Sequence, residues 1–201
     1  MTTGPRFLRY TVAMTLKDLP NLVTAARIAL AVVVFSLLAA AAGLDPVAAP
    51  ATARAAVIGT ALVLFVIAAL TDFLDGWLAR RLDARSALGV MLDPIADKIA
   101  LVGAVVGLAA LDAPLVAWPG ALMLMRELFV AGLRETGMKL PVSQLAKWKT
   151  TVQLVGLSAA MGAELSPGLR PAALALLWLA TGLTLWTGLD YLRRTLASLK
   201  G

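Results

Sequence analysis

Long apolar stretches constrain the fold of this chain more than any other feature of its sequence. A helix crosses a bilayer with about 20 apolar residues, and the sequence contains six stretches of roughly that length. Backbone polar groups inside a bilayer must be hydrogen-bonded within the protein, so only helices and closed barrels cross it. The stretches are rich in Ala, Leu, Val and Gly and do not alternate as barrel strands do, so they predict helices. They cover residues 22–42, 55–79, 97–112, 116–135, 148–164 and 171–192.

The composition agrees with a membrane protein and excludes several kinds of chemistry. Hydrophobic residues make up 60% of the chain and charged residues 15%, which is too apolar for a soluble domain of 201 residues. Cysteine and histidine are both absent, so acid–base or metal chemistry must use carboxylates. The net charge of +6 comes from basic residues spread along the chain and not from one basic run, so it does not indicate nucleic-acid binding.

The breaks between the apolar stretches leave no room for a separate soluble domain. Each break carries proline, glycine or charged residues, which is typical of loops between helices. The sequence therefore predicts an all-α integral membrane protein with six transmembrane helices, folded as a single domain over residues 1–201. A short interfacial helix is predicted at 6–17, before the first span. The breaks lie at residues 43–46, 80–94, 112–114, 139–141 and 166–168.

Residues 1–42 also have features of a cleaved signal peptide, namely a basic start, an apolar run and small residues at 39–42. The apolar run is as long as a full span, however, and it begins with polar Asn21, Thr24 and Arg27. A cleaved segment has no need of these side chains. We therefore interpret this stretch as the first transmembrane helix.

The distribution of basic residues predicts the orientation in the membrane, because cytoplasmic loops are enriched in lysine and arginine. Fifteen of the 18 basic residues lie in four regions, whereas the intervening loops hold only Arg54 and Arg170. Both termini and the loop between the second and third spans are therefore predicted to face the cytoplasm, in a multi-pass protein of the cytoplasmic membrane. The four basic regions are residues 6–17, 80–98, 126–149 and 193–200.

Four aspartates in one predicted hairpin carry the clearest chemical signal. Asp72 and Asp75 are three residues apart and Asp93 and Asp97 four apart, so each pair projects from one face of a helix. Clustered carboxylates near a membrane repel each other unless cations neutralise them. Oxygen ligands without histidine or cysteine favour Mg²⁺ or Mn²⁺, and two such ions suit displacement at phosphorus. Alternatively, the aspartates pair with the basic residues of 80–98 and only connect neighbouring helices.

The residues around these aspartates resemble a family signature. They read Asp72-x2-Asp75-Gly76-x2-Ala79-Arg80-x8-Gly89-x3-Asp93-x3-Asp97, which is similar at every fixed position to the signature of the CDP-alcohol phosphotransferases. The resemblance implies six transmembrane helices, with the signature spanning the second and third, and commonly a homodimer. The predicted topology places this hairpin, and hence the active site, on the cytoplasmic side.

The same resemblance implies a role for each signature residue. Asp72, Asp75, Asp93 and Asp97 would ligate two Mg²⁺ or Mn²⁺ ions, and Asp97 would also deprotonate the acceptor alcohol. The donor would be a cytidine-diphosphate lipid such as CDP-diacylglycerol, whose lipid-linked phosphate is attacked by the acceptor hydroxyl while CMP leaves. The residues that would line the cytidine-diphosphate site are Gly76, Ala79, Arg80 and Gly89.

Asn21, Thr24 and Arg27 recur at three-residue intervals and so share a face at the start of the first span. An arginine inside a membrane is costly without an anionic partner. Either the trio helps to hold the donor's diphosphate, as the family resemblance suggests, or Arg27 pairs with an acid or a lipid phosphate. The residues alone leave both interpretations open.

A second polar group straddles the predicted end of the fourth span and the start of the fifth. Arginine and lysine near a metal site are expected receptors for phosphate, although basic flanks are also typical of cytoplasmic loops. The sequence from Arg126-Glu127 to Gly132-Leu133-Arg134, followed by Lys147-Trp148-Lys149-Thr150, resembles the branch of the family that uses glycerol 3-phosphate as acceptor. One difference is Ala146, which stands where that branch more often has glycine. Inositol phosphate, serine and phosphatidylglycerol remain alternative acceptors. The group comprises Arg126, Arg134, Lys147, Lys149 and Thr150.

Two other functional classes fit these patterns less well. An ion or proton transporter would carry acids along a path through several spans, whereas the four aspartates are confined to one hairpin and one predicted side of the membrane. A membrane scaffold is suggested only by Gly103 and Gly107, which are spaced for close helix contact within the chain or in a homodimer. Neither class explains the aspartates.

Overall fold

The apolar stretches form six α-helices in the computed structural model, which describes residues 19–45, 48–81, 87–135 and 144–198. A 3₁₀ turn, Pro167–Leu169, precedes the last helix, and no strand occurs within the described ranges. The predicted all-α class is therefore confirmed, while the predicted interfacial helix at 6–17 lies outside the described residues. The helices are α1 (Leu19–Gly43), α2 (Ala51–Arg81), α3 (Ala87–Leu111), α4 (Ala113–Glu135), α5 (Gln144–Leu165) and α6 (Arg170–Ser198).

Five of these helices are long and apolar enough to cross a membrane, namely α1, α2, α3, α4 and α6. The protein is therefore an all-helical integral membrane protein with at least five candidate spans. The fifth helix, α5, has 22 residues but is less apolar, because it carries Lys147, Lys149, Gln153 and Glu164 among its apolar residues. Two of these polar residues, Lys149 and Gln153, line a cavity inside the bundle.

The third helix begins earlier than the sequence predicts. A break was expected to extend to Asp93-Pro94, but α3 begins at Ala87 and continues through Pro94, so this prediction is wrong. Proline removes one backbone hydrogen bond from a helix interior, and transmembrane helices tolerate that loss because neighbouring groups compensate for it. As a result, Asp93 and Asp97 both lie within a continuous helix, on one face.

The bundle is held by close packing of small and aliphatic side chains. The first helix packs along α2 and α3, α4 lies between α3 and α6, and α5 contacts α2 and α6. Gly107 is needed where α3 meets α1, since a Cβ atom there would come within 2.8 Å of Leu38 Cβ. Gly103 likewise faces the backbone oxygen of Ala31 on α1. The two spaced glycines of α3 therefore serve packing inside the chain.

One end of the bundle, called the ion-pair end, is closed by Arg54, Asp112, Glu164 and Arg170. Arg54 lies 3.5 Å from Glu164, and Arg170 donates hydrogen bonds to both carboxylate oxygens of Asp112. Asp112 also accepts a hydrogen bond from the backbone N–H of Leu115 at 3.2 Å, which caps the start of α4. Burial raises the pKa of Asp112, but the bonds from Arg170 and Leu115 outweigh it and hold the pKa below its ordinary value.

Candidate functional site

A cavity of about 360 Å³ opens at the opposite end of the bundle, called the cavity end. Its volume is in the range of small-molecule sites. Five helices contribute side chains to it: the first parts of α1, α3 and α5 and the last parts of α2 and α4. Apolar residues such as Phe65 and Leu101 form part of the wall. The polar lining residues are Arg27, Asp93, Asp97, Lys98, Arg126, Glu127, Arg134, Lys149, Thr150 and Gln153.

Two buried side chains of α1 orient the aspartates of α3. Arg27 donates a hydrogen bond to Asp97 Oδ1 at 3.0 Å and lies 4.0 Å from Asp93 Oδ1. The Thr24 hydroxyl donates to Asp93 Oδ1 at 2.8 Å. The side chain of Arg27 is 4% exposed, whereas those of Asp93 and Asp97 are 55% and 48% exposed. Buried donors therefore fix two carboxylates that stay accessible from the cavity. Arg27 pairs with acidic side chains, which is one of the two roles that the sequence left open for it.

The two half-exposed carboxylates fit a hard divalent cation, because they are oxygen donors on successive turns of one rigid helix. Their predicted partners, Asp72 and Asp75, lie on the last turns of α2, but their side chains are outside the described part of the chain. Among the described side chains, no group of three or more potential metal ligands occurs. The four-aspartate metal site therefore stays a prediction.

Several other predicted residues have a described backbone but no described side chain. Asn21 lies on α1 near its start, and Lys147 lies on the first turn of α5. The helical positions alone place them at the cavity end of the bundle. The signature residues in the same situation are Gly76, Ala79 and Arg80 on α2 and Gly89 on α3.

In the same cavity as the aspartates, α4 and α5 bring two basic side chains of the predicted acceptor group onto one carboxylate. Arg126 donates to Glu127 Oε1 at 2.9 Å, and Lys149 Nζ donates to the same oxygen. Arg126 also donates to Thr187 Oγ1 on α6 at 3.0 Å. Arg126 and Lys149 are both buried, and the buried Nε of Arg126 has no hydrogen-bond partner among the described residues. Buried charge of this kind is costly unless further anionic groups meet it.

The backbone of α6 is shaped around Arg126. A Cβ atom at Gly188 would lie 2.9 Å from Arg126 Cγ and 3.0 Å from its Nε, so only glycine leaves room for this arginine. One turn further along α6, Tyr191 stacks under Arg134, with its ring centroid 5.5 Å from the guanidinium carbon. Arg134 and Thr150 also line the cavity. Four of the five residues predicted to bind the acceptor phosphate therefore have described side chains, and all four face the same space as Asp93 and Asp97.

Sequence reasoning missed the residues that organise this group. Glu127 and Gln153 line the cavity, and Thr184 and Thr187 of α6 accept hydrogen bonds from Gln153 and Arg126. Gln153 could have been found, because it follows Lys149 by one helical turn in an apolar stretch. The threonines gave no such signal, since a threonine inside a membrane helix commonly bonds its own backbone.

The site therefore joins carboxylates from α3 to basic side chains from α4 and α5 across one cavity. Such a division suits a reaction between two phosphate-bearing molecules: a cation held by the carboxylates would neutralise one, and the arginine and lysine side chains would bind the other. Attack of an oxygen on phosphorus between the two walls is the chemistry that this arrangement favours.

Comparison with known proteins identifies relatives that cover most of the bundle. The model of the family described as CDP-alcohol phosphatidyltransferase matches residues 17–186. A protein of Cereibacter sphaeroides is 39% identical over 184 residues, covering 70% of this chain and 83% of the relative. A relative in Escherichia coli is 36% identical over 146 residues, covering 69% of this chain and 80% of its own length. Both carry the name CDP-diacylglycerol–glycerol-3-phosphate 3-phosphatidyltransferase.

Proposed function

This chain belongs to the CDP-alcohol phosphatidyltransferase family, and we propose that it transfers the phosphatidyl group of CDP-diacylglycerol to glycerol 3-phosphate. The products are phosphatidylglycerophosphate and CMP. The observation that carries the proposal is the match over residues 17–186 together with relatives that share one name. The cavity supports the choice of a phosphate-bearing acceptor, because buried Arg126 and Lys149 line it together with Asp93 and Asp97.

In the proposed reaction the acceptor hydroxyl attacks the phosphorus that carries the diacylglycerol. A new P–O bond forms, the bond from that phosphorus to the bridging oxygen breaks, and CMP leaves with the bridging oxygen and its electrons. Asp97 takes the hydroxyl proton. Its hydrogen bond from buried Arg27 keeps the carboxylate in one orientation, so that the base is positioned before the alcohol arrives.

A pair of Mg²⁺ or Mn²⁺ ions would be held by Asp72, Asp75, Asp93 and Asp97, and would stabilise charge on the attacking and leaving oxygens. The donor's diphosphate would lie beside Gly76, Ala79, Arg80 and Gly89, where glycine and alanine allow close approach to the backbone. Asn21, Thr24 and Arg27 complete the proposed donor side. Because Thr24 and Arg27 bond to Asp93 and Asp97, we assign them to orienting the carboxylates.

The acceptor's phosphate would be bound by Arg126, Arg134, Lys147, Lys149 and Thr150. Two observations support this assignment: Arg126 and Lys149 both line the cavity, and they share a single carboxylate oxygen, Glu127 Oε1, as their anionic partner. A phosphate dianion supplies acceptors for both side chains. Glu127 keeps the two basic groups in place when no phosphate is bound, and it shares them with the phosphate when the acceptor enters.

The proposed membrane arrangement has both termini and the cavity end on the cytoplasmic side of the cytoplasmic membrane, with α5 as a sixth span. The length of α5 and its contacts with α2 and α6 support that place. A single domain over residues 1–201 is proposed because the breaks between the apolar stretches leave no room for a separate soluble domain. A homodimer is proposed on the family resemblance alone. The sequence contains no cysteine, so single cysteines at positions 2 and 200 give a clean test, and labelling of either from outside would overturn this orientation.

The activity is tested by supplying purified protein with CDP-diacylglycerol, Mg²⁺ or Mn²⁺, and one alcohol at a time, and identifying the lipid formed. Glycerol 3-phosphate should give phosphatidylglycerophosphate and release CMP, and a chelator should abolish both. Turnover with inositol phosphate, serine or phosphatidylglycerol in its place would refute the proposed acceptor and leave the family reaction intact. Full turnover in excess chelator would refute the metal site.

A further inference from the structure

Gln153 is a buried polar residue of the cavity that has no part in the proposed reaction so far. It is 3% exposed and lines the cavity. It follows Lys149 by four residues on α5, so both side chains project from the same face of that helix. A buried amide is costly unless its groups are hydrogen-bonded, which makes the partners of Gln153 informative.

The two polar atoms of the Gln153 amide are in different situations. Nε2 donates a hydrogen bond to Thr184 Oγ1 on α6 at 2.9 Å. Oε1 has no hydrogen-bond partner among the described residues, and it is not one of the fully enclosed atoms that lack a partner. The oxygen is therefore open to the cavity. A carbonyl oxygen accepts hydrogen bonds and cannot donate them, so it suits a hydroxyl group and disfavours a phosphate oxygen.

We propose that Gln153 Oε1 accepts a hydrogen bond from the middle hydroxyl of glycerol 3-phosphate and thereby selects this acceptor over alcohols that lack the hydroxyl. The inference rests on the proposed function. Four residues along a helix advance it by about 6 Å, a separation that a three-carbon phosphate bridges when its phosphate lies at Lys149. Thr184 acts as a positioning residue, because its hydroxyl holds the amide with Oε1 toward the cavity.

The test compares kcat/KM for glycerol 3-phosphate with that for 1,3-propanediol monophosphate, which lacks only the middle hydroxyl. The wild-type protein should prefer glycerol 3-phosphate by about tenfold or more, as expected for one buried hydrogen bond. Gln153→Leu should lose that preference through a fall in kcat/KM for glycerol 3-phosphate alone. Unchanged turnover of 1,3-propanediol monophosphate shows that the variant is folded, whereas an equal loss with both acceptors would overturn the inference.

A matched pair at Thr184 separates positioning from packing. Thr184→Val removes the hydroxyl at nearly constant volume and should lower the preference several-fold, whereas Thr184→Ser keeps the hydroxyl and should retain it. If both Thr184 variants and Gln153→Leu kept the wild-type preference for glycerol 3-phosphate, the inference would be overturned and the proposed function would remain intact. A wild-type protein that does not use glycerol 3-phosphate would refute both.

A ribose hydroxyl of the donor could also donate the hydrogen bond to Gln153 Oε1. A parallel assay therefore compares CDP-diacylglycerol with its 2′-deoxycytidine analogue. If Gln153→Leu changed the preference between these donors and left the acceptor preference intact, the hydrogen bond would belong to the ribose and the acceptor assignment would be overturned. We expect the donor preference to be unchanged.

Discussion

Among the described side chains, two arginines meet two carboxylates at the ion-pair end of the bundle, whereas five cationic side chains and three carboxylates line one space at the cavity end. At the first end the partners match: Arg54 with Glu164, and Arg170 with Asp112. At the second, Arg126 and Lys149 share Glu127 as an anionic partner, and the half-exposed carboxylates of α3 face the same cavity. The two ends thus use similar residue types in different proportions.

This difference separates charges that hold helices from charges that bind ligands. Paired charges at a loop satisfy one another and leave little for a third group. Like charges around a cavity repel one another and are costly to bury. They are typical of functional sites, where a ligand of opposite charge offsets that cost. The aspartates and the basic residues of the cavity end are therefore expected to affect turnover, and those of the ion-pair end to affect stability. Substitutions at matched positions can break or sharpen this distinction.

The largest effect is expected from Asp97→Asn, with Asp112→Asn as its counterpart at the ion-pair end. Loss of a base is expected to lower kcat by about 10²–10⁴-fold, and loss of a metal ligand adds to that. Asp112→Asn should leave kcat close to the wild-type value. Both are measured as CMP release from CDP-diacylglycerol at saturating acceptor. Near-normal turnover of Asp97→Asn would show that Asp97 does not act as the catalytic base.

A smaller effect is expected from Arg126→Ala, with Arg54→Ala as its counterpart. Charge-assisted contacts to phosphate contribute about 1.5–3 kcal/mol each, so the KM for glycerol 3-phosphate should rise about tenfold or more. The KM for CDP-diacylglycerol should change less, and Arg54→Ala should change neither. Membrane insertion of both variants must be verified, since arginines also direct topology. If Arg126→Ala, Arg134→Ala and Lys147→Ala all kept the acceptor KM, these residues would be ordinary flanking charges.

Gly188→Ala tests whether the position of Arg126 matters as well as its charge. The new methyl group would overlap Arg126, and overpacking of this kind costs about 1–3 kcal/mol. The acceptor KM should therefore rise several-fold. Gly182 on the same helix is the control, because a Cβ atom there has no neighbour within 4 Å. Equal acceptor KM values for Gly188→Ala and Gly182→Ala would show that Arg126 adapts without loss.

The smallest effect is expected at the ion-pair end, from Arg170→Ala. Turnover should be unchanged, and the thermal midpoint should fall by a few degrees at most, because Arg170 is about half exposed. The folded-state pKa of Asp112 lies below its ordinary value, so the pair stabilises the protein above the ordinary carboxylate pKa and its contribution is lost as the pH falls through the folded-state pKa. The thermal midpoints of variant and wild type should converge as the pH falls. A difference that widened on acidification would contradict this sign.

The sequence predicted the helices well because each one is long and apolar. All six predicted stretches fall largely within observed helices, and the hydrophobicity of a bilayer span is a local property that needs no knowledge of neighbours. The prediction of a break that extends to Asp93-Pro94 was wrong because it considered only the local sequence. Proline is a strong local signal for a helix end, but in a membrane bundle the surrounding helices compensate for its missing hydrogen bond.

The site was predictable only in part, because its partners come from distant positions. Arg126, Lys149 and the aspartates of α3 were singled out by residue type and spacing, whereas the roles of Glu127 and Thr187 depend on which helices are neighbours. Nothing in the sequence states that α6 lies beside α4. The hydrogen bond between Arg27 and Asp97 joins residues 70 positions apart. The sequence predicted an acidic partner for this arginine but could not identify which residue it is.

The polarity of α5 has a consequence for how the protein is made. Lys149 and Gln153 would be poorly accepted by lipid if α5 entered the bilayer alone. Glu127, the partner of Lys149, belongs to the preceding helix, but Thr184, the partner of Gln153, is synthesised only after α5 has emerged. If α5 is the proposed sixth span, it should remain beside the insertion machinery until α6 arrives, and the two helices should enter the bilayer as a hairpin. The residues that line the cavity would then set the order of membrane assembly.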